Sequence, residues 1–164
     1  MQPAPIPADE RERLDAVHRA AILDTAPEER FDKLTKEAVE KLHVPISTVS
    51  ILDSDREWFK SCVGTDQKEG DRSISFCGHA LLARDIFIVE DTFKDERFAN
   101  NPMVTGTPFI RFYAGIALLD RKTSQAIGVF CVKDTRPRTF GLDEISILMD
   151  LAERAEGELN KKYV

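Results

Sequence analysis

Residues 110–134 read IRFYAGIALLDRKTSQAIGVFCVKD. In the first part Ile110, Phe112, Ala114, Ile116 and Leu118 fall on one face of an extended chain. Arg111, Tyr113, Gly115, Ala117 and Leu119 fall on the other. A side-chain period of two with unlike faces is a strand pattern. Residues 121–125 are polar and turn-like. Residues 126–132 return as an apolar run with β-branched side chains, the composition of a central strand covered on both sides. The stretch predicts a hairpin at the middle of a sheet, and such a hairpin needs partner strands and covering helices.

Both are legible on either side. Residues 46–53 and 57–63 form a second predicted hairpin, with Ile46, Thr48, Ser50 and Leu52 on one face and a turn at 53–56. Residues 85–91 give another strand. Residues 65–75 are polar and read as loop, and 75–83 as a short helix capped by Ser73 or Ser75. Residues 92–108 are irregular, with one helical turn over 95–99. A loop this long inside a compact domain is commonly a lid or binding loop. Amphipathic spacing predicts helices over 9–23 (Leu14, Val17, Ala21), 28–42 (Phe31, Leu34, Ala38) and 143–162 (Leu148, Leu151, Ala155). The charges at 9–13 read as a solvated helix face. Short hairpin connections argue for an antiparallel sheet and an α+β fold. Helices from both chain ends cover one face; the short helix and long loop cover the other, with room for a pocket. Residues 1–8, rich in proline, read as a disordered tail and 9–164 as a single domain.

The chain has 164 residues, enough to bury a core that removes ~70% of the unfolded surface from water. No apolar run approaches the ~20 residues of a membrane span. The net charge of −6 and the lack of a dense Lys/Arg run argue against nucleic acid and anionic membranes as partners. Three irregularly spaced cysteines do not make a disulfide framework, and they fit the cytoplasm.

Several segments together resemble the GAF domain family: LDTAPEERFD (23–32), WFKSCVG (58–64), SFCGHAL (75–81), VEDTFKDERFANNP (89–102), IRFYAGIAL (110–118) and IGVFCVKDTRPR (127–138). They are most similar to GAF domains found beside bacterial histidine kinases and cyclic-di-nucleotide enzymes. The resemblance implies a six-stranded antiparallel sheet, terminal helices on one face and a small-molecule pocket on the other. It also implies a homodimer through the terminal helices and regulation of an output domain or kinase. It names no cofactor, and many members have no known ligand. Free methionine sulfoxide reductases share this fold and carry their reactive cysteine in the loop before the central hairpin. Residues 90–108 contain no cysteine here, so the nucleophile of that chemistry is missing.

The ligand-binding candidates are Cys77, His79, Asp91, Phe98, Arg111, Tyr113 and Cys131; no catalytic residue is assigned. Cys77 and His79 would touch a ligand or carry a tetrapyrrole thioether, or else be a buried thiol and a core histidine. Bilin-binding GAF domains use an adjacent Cys-His pair in this region, whereas Gly78 intervenes. A metal would need Cys62, Cys77, His79 and Cys131 gathered in space, and their spacing is not a zinc pattern, so none is expected. Arg111 and Tyr113 share a face with Gly115, and Gly128 is placed opposite on that face; missing side chains leave room for a ligand or for a closely packed helix. Arg111 offers a planar fork for carboxylate or phosphate, or it pairs with Asp91, Asp95 or Glu96 and pins the long loop. Phe93, Phe98, Phe109 and Phe112 read more as core than as a ligand cage. The expected function is a non-catalytic small-molecule sensor, with a ligand-free dimerisation or docking module as the alternative.

Overall fold

The computed structural model describes residues 1–161. Among these, β1 (Ile46–Leu52), β2 (Arg56–Val63), β3 (Glu69–Asp71), β4 (Phe87–Val89), β5 (Phe112–Asp120) and β6 (Gln125–Asp134) form one antiparallel sheet in the order β3-β2-β1-β6-β5-β4. The two predicted hairpins meet where β1 pairs with β6, from Ile46 opposite Lys133 to Ile51 opposite Gly128. Every residue of β1 is buried, as is β6 beyond its first turn of pleat. The apolar run at 126–132 therefore lies at the sheet centre.

Three helices cover one face: α1 (Glu10–Ala20), α2 (Glu29–Leu42) and, near the other end of the chain, a helix over Leu142–Leu159. Phe31, Leu34, Ala38, Leu148, Leu151 and Ala155 from these helices pack against Val49, Ile51, Phe112, Ala114, Phe130 and Val132 from the sheet. Between them in sequence come two short helices on the opposite face, α3 (Phe76–Ala80) and α4 (Pro102–Thr105), which makes the last helix α5. Ser75 caps α3 by accepting the Gly78 N–H at 3.1 Å, and Asn101 caps α4 by accepting that of Met103 at 2.8 Å. The fold is α+β, with five helices around a six-stranded sheet.

Several segments differ from the sequence-based expectation. The loop expected at 65–75 contains the edge strand β3, whose Glu69, Gly70 and Asp71 have little strand preference of their own. They pair because the free edge of β2 offers unpaired backbone groups. The segment expected as a disordered tail lies across α3. Gln2 N–H donates to the Arg97 carbonyl and Ala4 N–H to that of Ser73, each at 3.0 Å. Ala4 can approach because residue 78 has no side chain: a Cβ there would lie 2.5 Å from that of Ala4. The charges at 9–13 are not all solvated either. Arg13 is buried, donating from Nε to Glu10 at 2.5 Å, and buried Arg72 pairs with the same carboxylate. Burial disfavours the ionised form of Glu10, but these two guanidinium groups outweigh it and hold the carboxyl below its usual range.

Gly128 faces the terminal helices rather than the opposite side. A regular hairpin would place it beside Ala117, but the register shifts between Leu118 and Leu119, so Gly128 pairs with Leu118 and shares its face. A Cβ at this position would lie 2.3 Å from the Ser50 carbonyl oxygen. Gly128→Ala therefore forces β1 and β6 apart and should lower stability by about 1–3 kcal/mol. Equilibrium urea denaturation measures this; an unchanged midpoint would contradict the close approach.

Candidate ligand cavity

On the face away from the terminal helices, a cavity of about 390 Å³ opens between one end of β1, β2 and β6 and the segments around β3 and α4. Its walls are largely apolar, with Ile46, Phe59, Ile74, Met103, Pro108 and Ile110. Glu57 and Lys133 bring charge to it. Period-two alternation accounts for both. Glu57 pairs with Leu52, and Lys133 lies two residues beyond Cys131, so each shares the face of α3 and α4.

Behind the cavity lies a buried polar network. The Glu57 carboxylate accepts the Ser50 and Ser75 hydroxyls, each at 2.6 Å. Ser50 Oγ lies 2.8 Å from Thr48 Oγ1, which lies 3.0 Å from Cys131 Sγ. The Tyr113 phenol donates to Cys77 Sγ at 3.0 Å. Burial pushes the Cys77 thiol and the Tyr113 phenol well above their usual ranges, and nearby Cys131 adds to both shifts. Burial disfavours the Cys131 thiolate too. Hydrogen bonding from Cys77 and Thr48 and the positive charge of Lys133 prevail, bringing it to about 7. For Lys133 burial favours the neutral amine, yet the negative charges of Cys131 and Glu57 hold its pKa above the ordinary lysine value. Lys133 is therefore an ammonium at neutral pH.

The sequence-derived candidates divide into three groups, and none of their side chains lines this cavity. Cys77, Tyr113 and Cys131 come together in the buried network. Phe98 stacks on Phe76 with ring centres 4.3 Å apart, and His79 meets the edge of Phe98 at 4.8 Å while its Nε2 lies 3.2 Å from the Gln2 carbonyl. Burial lowers the His79 pKa. Arg111 and Asp91 pair with each other at 3.0 Å, and the guanidinium lies 3.5 Å from the centre of the exposed Phe93 ring. The pairing with Asp91 expected as the alternative for Arg111 is present. The space expected at Gly115 is filled by Tyr113, whose Oη would lie 2.4 Å from a Cβ there. Phe93 and Phe109 are exposed, whereas Phe98 and Phe112 are core. No group of three or more metal-ligating side chains is gathered among the described residues. Glu57 and Lys133 were missed, although one signal was present: a lysine following CV at the end of an apolar strand, in phase with the cavity face.

Residues 26–159 match the family described as GAF domain. A cyclic di-GMP phosphodiesterase of Pseudomonas aeruginosa is 38% identical over 138 residues, covering 84% of this chain and 23% of that protein. The chain thus spans less than a quarter of this relative. The GAF domain of an Acinetobacter phosphoenolpyruvate-protein phosphotransferase has a TM-score of 0.62 at 19% identity, with 90% of this chain and 92% of that one covered. The type II free methionine-R-sulfoxide reductase of Thermoplasma acidophilum has a TM-score of 0.64 at 16% identity, with 89% and 95% covered. At such identities these two structures share the fold with the chain.

The Cys131 thiol at about 7 implies a pH-dependent stability. An unfolded cysteine titrates near about 8.5, so between pH 7 and 8 the unfolded chain binds more protons than the native one. Stability rises with pH across that interval and is lost as pH falls through 7. At higher pH, Cys62 and Cys77 oppose the rise, because burial raises both. Cys131→Ser should flatten the rise in urea midpoint between pH 7 and 8. The same slope in the variant would assign the titration to another group.

Proposed function

The chain belongs to the GAF domain family, and from that premise we propose that it is a non-catalytic small-molecule sensor. Its ligand occupies the cavity between the sheet and α4, and its terminal helices pass the signal to an output domain or partner. The observation that carries this reading is the cavity itself. It places two charged side chains, Glu57 at 4% and Lys133 at 6% exposure, against apolar walls. Small-molecule sites combine apolar lining with a few placed polar groups in this way.

The route to the helices is short. Lys133 and Ile46 reach the cavity from β6 and β1, while Val132 beside Lys133 and Val49 further along β1 pack among the terminal helices. A ligand that draws α4 toward the sheet biases both faces of the same strands. It switches the protein only if it binds the two states unequally. The similarity to a much longer cyclic di-GMP phosphodiesterase supports placing the domain beside a signalling enzyme. We place the protein in the cytoplasm, consistent with its three free cysteines. We assign homodimerisation to α1 and α5; Met149 on α5 is exposed. The absence of cysteine from residues 90–108 supports the non-catalytic assignment. A ligand-free docking module is the second reading, favoured by the filled space around Tyr113 and Phe98.

Titration with a metabolite panel, followed by methyl and amide NMR, tests the sensor. The expected result is saturable binding that shifts Met103 and Ile110 together with amides of α5. Binding that leaves α5 unchanged would refute the switching role. Arg111→Ala should loosen the loop at Asp91 yet leave affinity at the cavity within about threefold, since Arg111 does not line it. A larger loss would return Arg111 to the binding site.

A further inference from the structure

The Lys133 ammonium makes no ion pair and no hydrogen bond among the described residues, although its side chain belongs to a residue only 6% exposed. Its ring contact is the face of Phe59, 6.0 Å away. The Glu57 carboxylate that shares the cavity already has both oxygens engaged by Ser50 and Ser75. Glu57, Cys131, Cys77 and Cys62 act on Lys133 through charge rather than by contact. A charge on a side chain this largely buried, without a direct partner, is costly, and an incoming anion with access to the cavity relieves that cost.

The surroundings limit what that anion can be. Among the described residues Lys133 is the one cation in the lining, whereas Glu57, Glu69 and Asp71 are acidic. A nucleotide or other polyanion would meet three carboxylates for one ammonium, and repulsion of this kind excludes partners effectively. Asp71 is occupied by the N–H and hydroxyl of Ser73 at 2.8 Å, and Glu69, on the exposed rim, has Arg56 at 3.7 Å. The walls are apolar at Ile46, Phe59, Ile74, Met103 and Ile110. A volume of about 390 Å³ lies toward the small end of ligand sites.

We propose that the cavity takes a small monocarboxylate with an apolar body, its carboxylate on Lys133 and its apolar part against Ile46, Phe59, Met103 and Ile110. This rests on the sensor reading and specifies the ligand class of the same site. A carboxylate is ionised throughout the neutral range, so it presents the ammonium with a full negative charge. The phenyl face of Phe59 beside the ammonium suits an apolar group joined directly to the carboxylate carbon chain.

The test uses the whole chain with butyrate, isovalerate and phenylacetate, against isovaleramide, inorganic phosphate and cyclic AMP. Calorimetry gives affinities, and methyl NMR of Met103 and Ile110 locates binding. At least one acid should bind saturably at the cavity, and isovaleramide roughly 10- to 100-fold more weakly than isovalerate, the loss expected for one charge-assisted contact. Lys133→Met should abolish the preference for acid over amide, and Lys133→Arg should retain it. Thermal melts establish that both variants fold. Met103→Trp, which fills the cavity, should remove binding of acids and amide alike. Equal binding of acid and amide, or tighter cavity binding of phosphate or cyclic AMP, would overturn the ligand class. If no acid binds while other members of the metabolite panel do, the carboxylate assignment falls and the sensor stands. If nothing in either set binds, both fall.

Discussion

A single buried carboxylate holds the cavity side of this domain together. Glu57 stands at the start of β2, accepts the Ser50 hydroxyl from β1, and accepts the Ser75 hydroxyl from the segment that begins α3. Ser75 in turn caps α3 through the Gly78 N–H. One side chain thus ties the sheet to the helix laid across it. Without these donors a carboxylate at 4% exposure would be prohibitively desolvated. With them, each charge-assisted bond contributes roughly 1.5–3 kcal/mol. Glu57 makes neither a hydrogen bond nor an ion pair with Lys133 among the described residues and acts on it through charge alone.

The polar network also fixes how the strands are paired. Along β1 and β6, Val49, Ile51, Phe130 and Val132 face the terminal helices, while Thr48, Ser50, Cys131 and Lys133 face α3 and the cavity. Both faces are buried, so hydrophobicity alone would discriminate weakly between registers. A slip of one residue exchanges the faces. It would press Lys133 and the hydroxyls against Phe31, Leu34 and Leu151 and break the bonds that Ser50 and Thr48 now make to Glu57 and Cys131. The hydroxyls and thiols on β1 and β6 therefore specify register as well as chemistry, a role attested for buried polar groups elsewhere.

What could be read from the sequence follows the range over which its signals act. The central hairpin and the terminal helices were legible, because alternation and helical spacing are local and strong in 110–134, 28–42 and the last helix. The edge strand β3 was not, since Glu69, Gly70 and Asp71 become a strand only when β2 presents its edge. The strap formed by Gln2 and Ala4 depends on Gly78, seventy residues on in a chain of unknown path. Gly128 was placed on the wrong face because a bulge changes parity and leaves no mark in the periodicity. For the site, residue chemistry drew attention to SFCGHAL and to Arg111. It did find members of one cluster, Cys77, Tyr113 and Cys131, but that cluster is packed shut. That Arg111 reaches Asp91 at 3.0 Å is a tertiary contact, which no pattern encodes.

The long connection between β4 and β5 is pinned unevenly, and only its last part borders the cavity. Its first residues are fixed to the sheet: Thr92 N–H donates to the Arg111 carbonyl at 3.0 Å, Thr92 Oγ1 to that of Ile110 at 2.8 Å, and Asp91 holds Arg111. Its middle is core, through Phe98. Only the segment from Asn101 onward borders the cavity, with Pro102, Met103, Thr107, Pro108 and Ile110 on its lining. Asn101 anchors that segment, donating to the Ile74 carbonyl at 2.8 Å while capping α4, and Ile110 N–H closes it by donating to the Met103 carbonyl at 2.8 Å. The roof of the cavity is therefore one short helix and its return, running from Asn101 and rejoining the sheet at Arg111, whose N–H donates to the Asp134 carbonyl at 2.8 Å. Asp134 follows Lys133 directly, so roof and floor meet on adjacent residues of β6, the strand whose other face packs on the terminal helices; under the sensor function proposed above, a ligand held between them would load that strand.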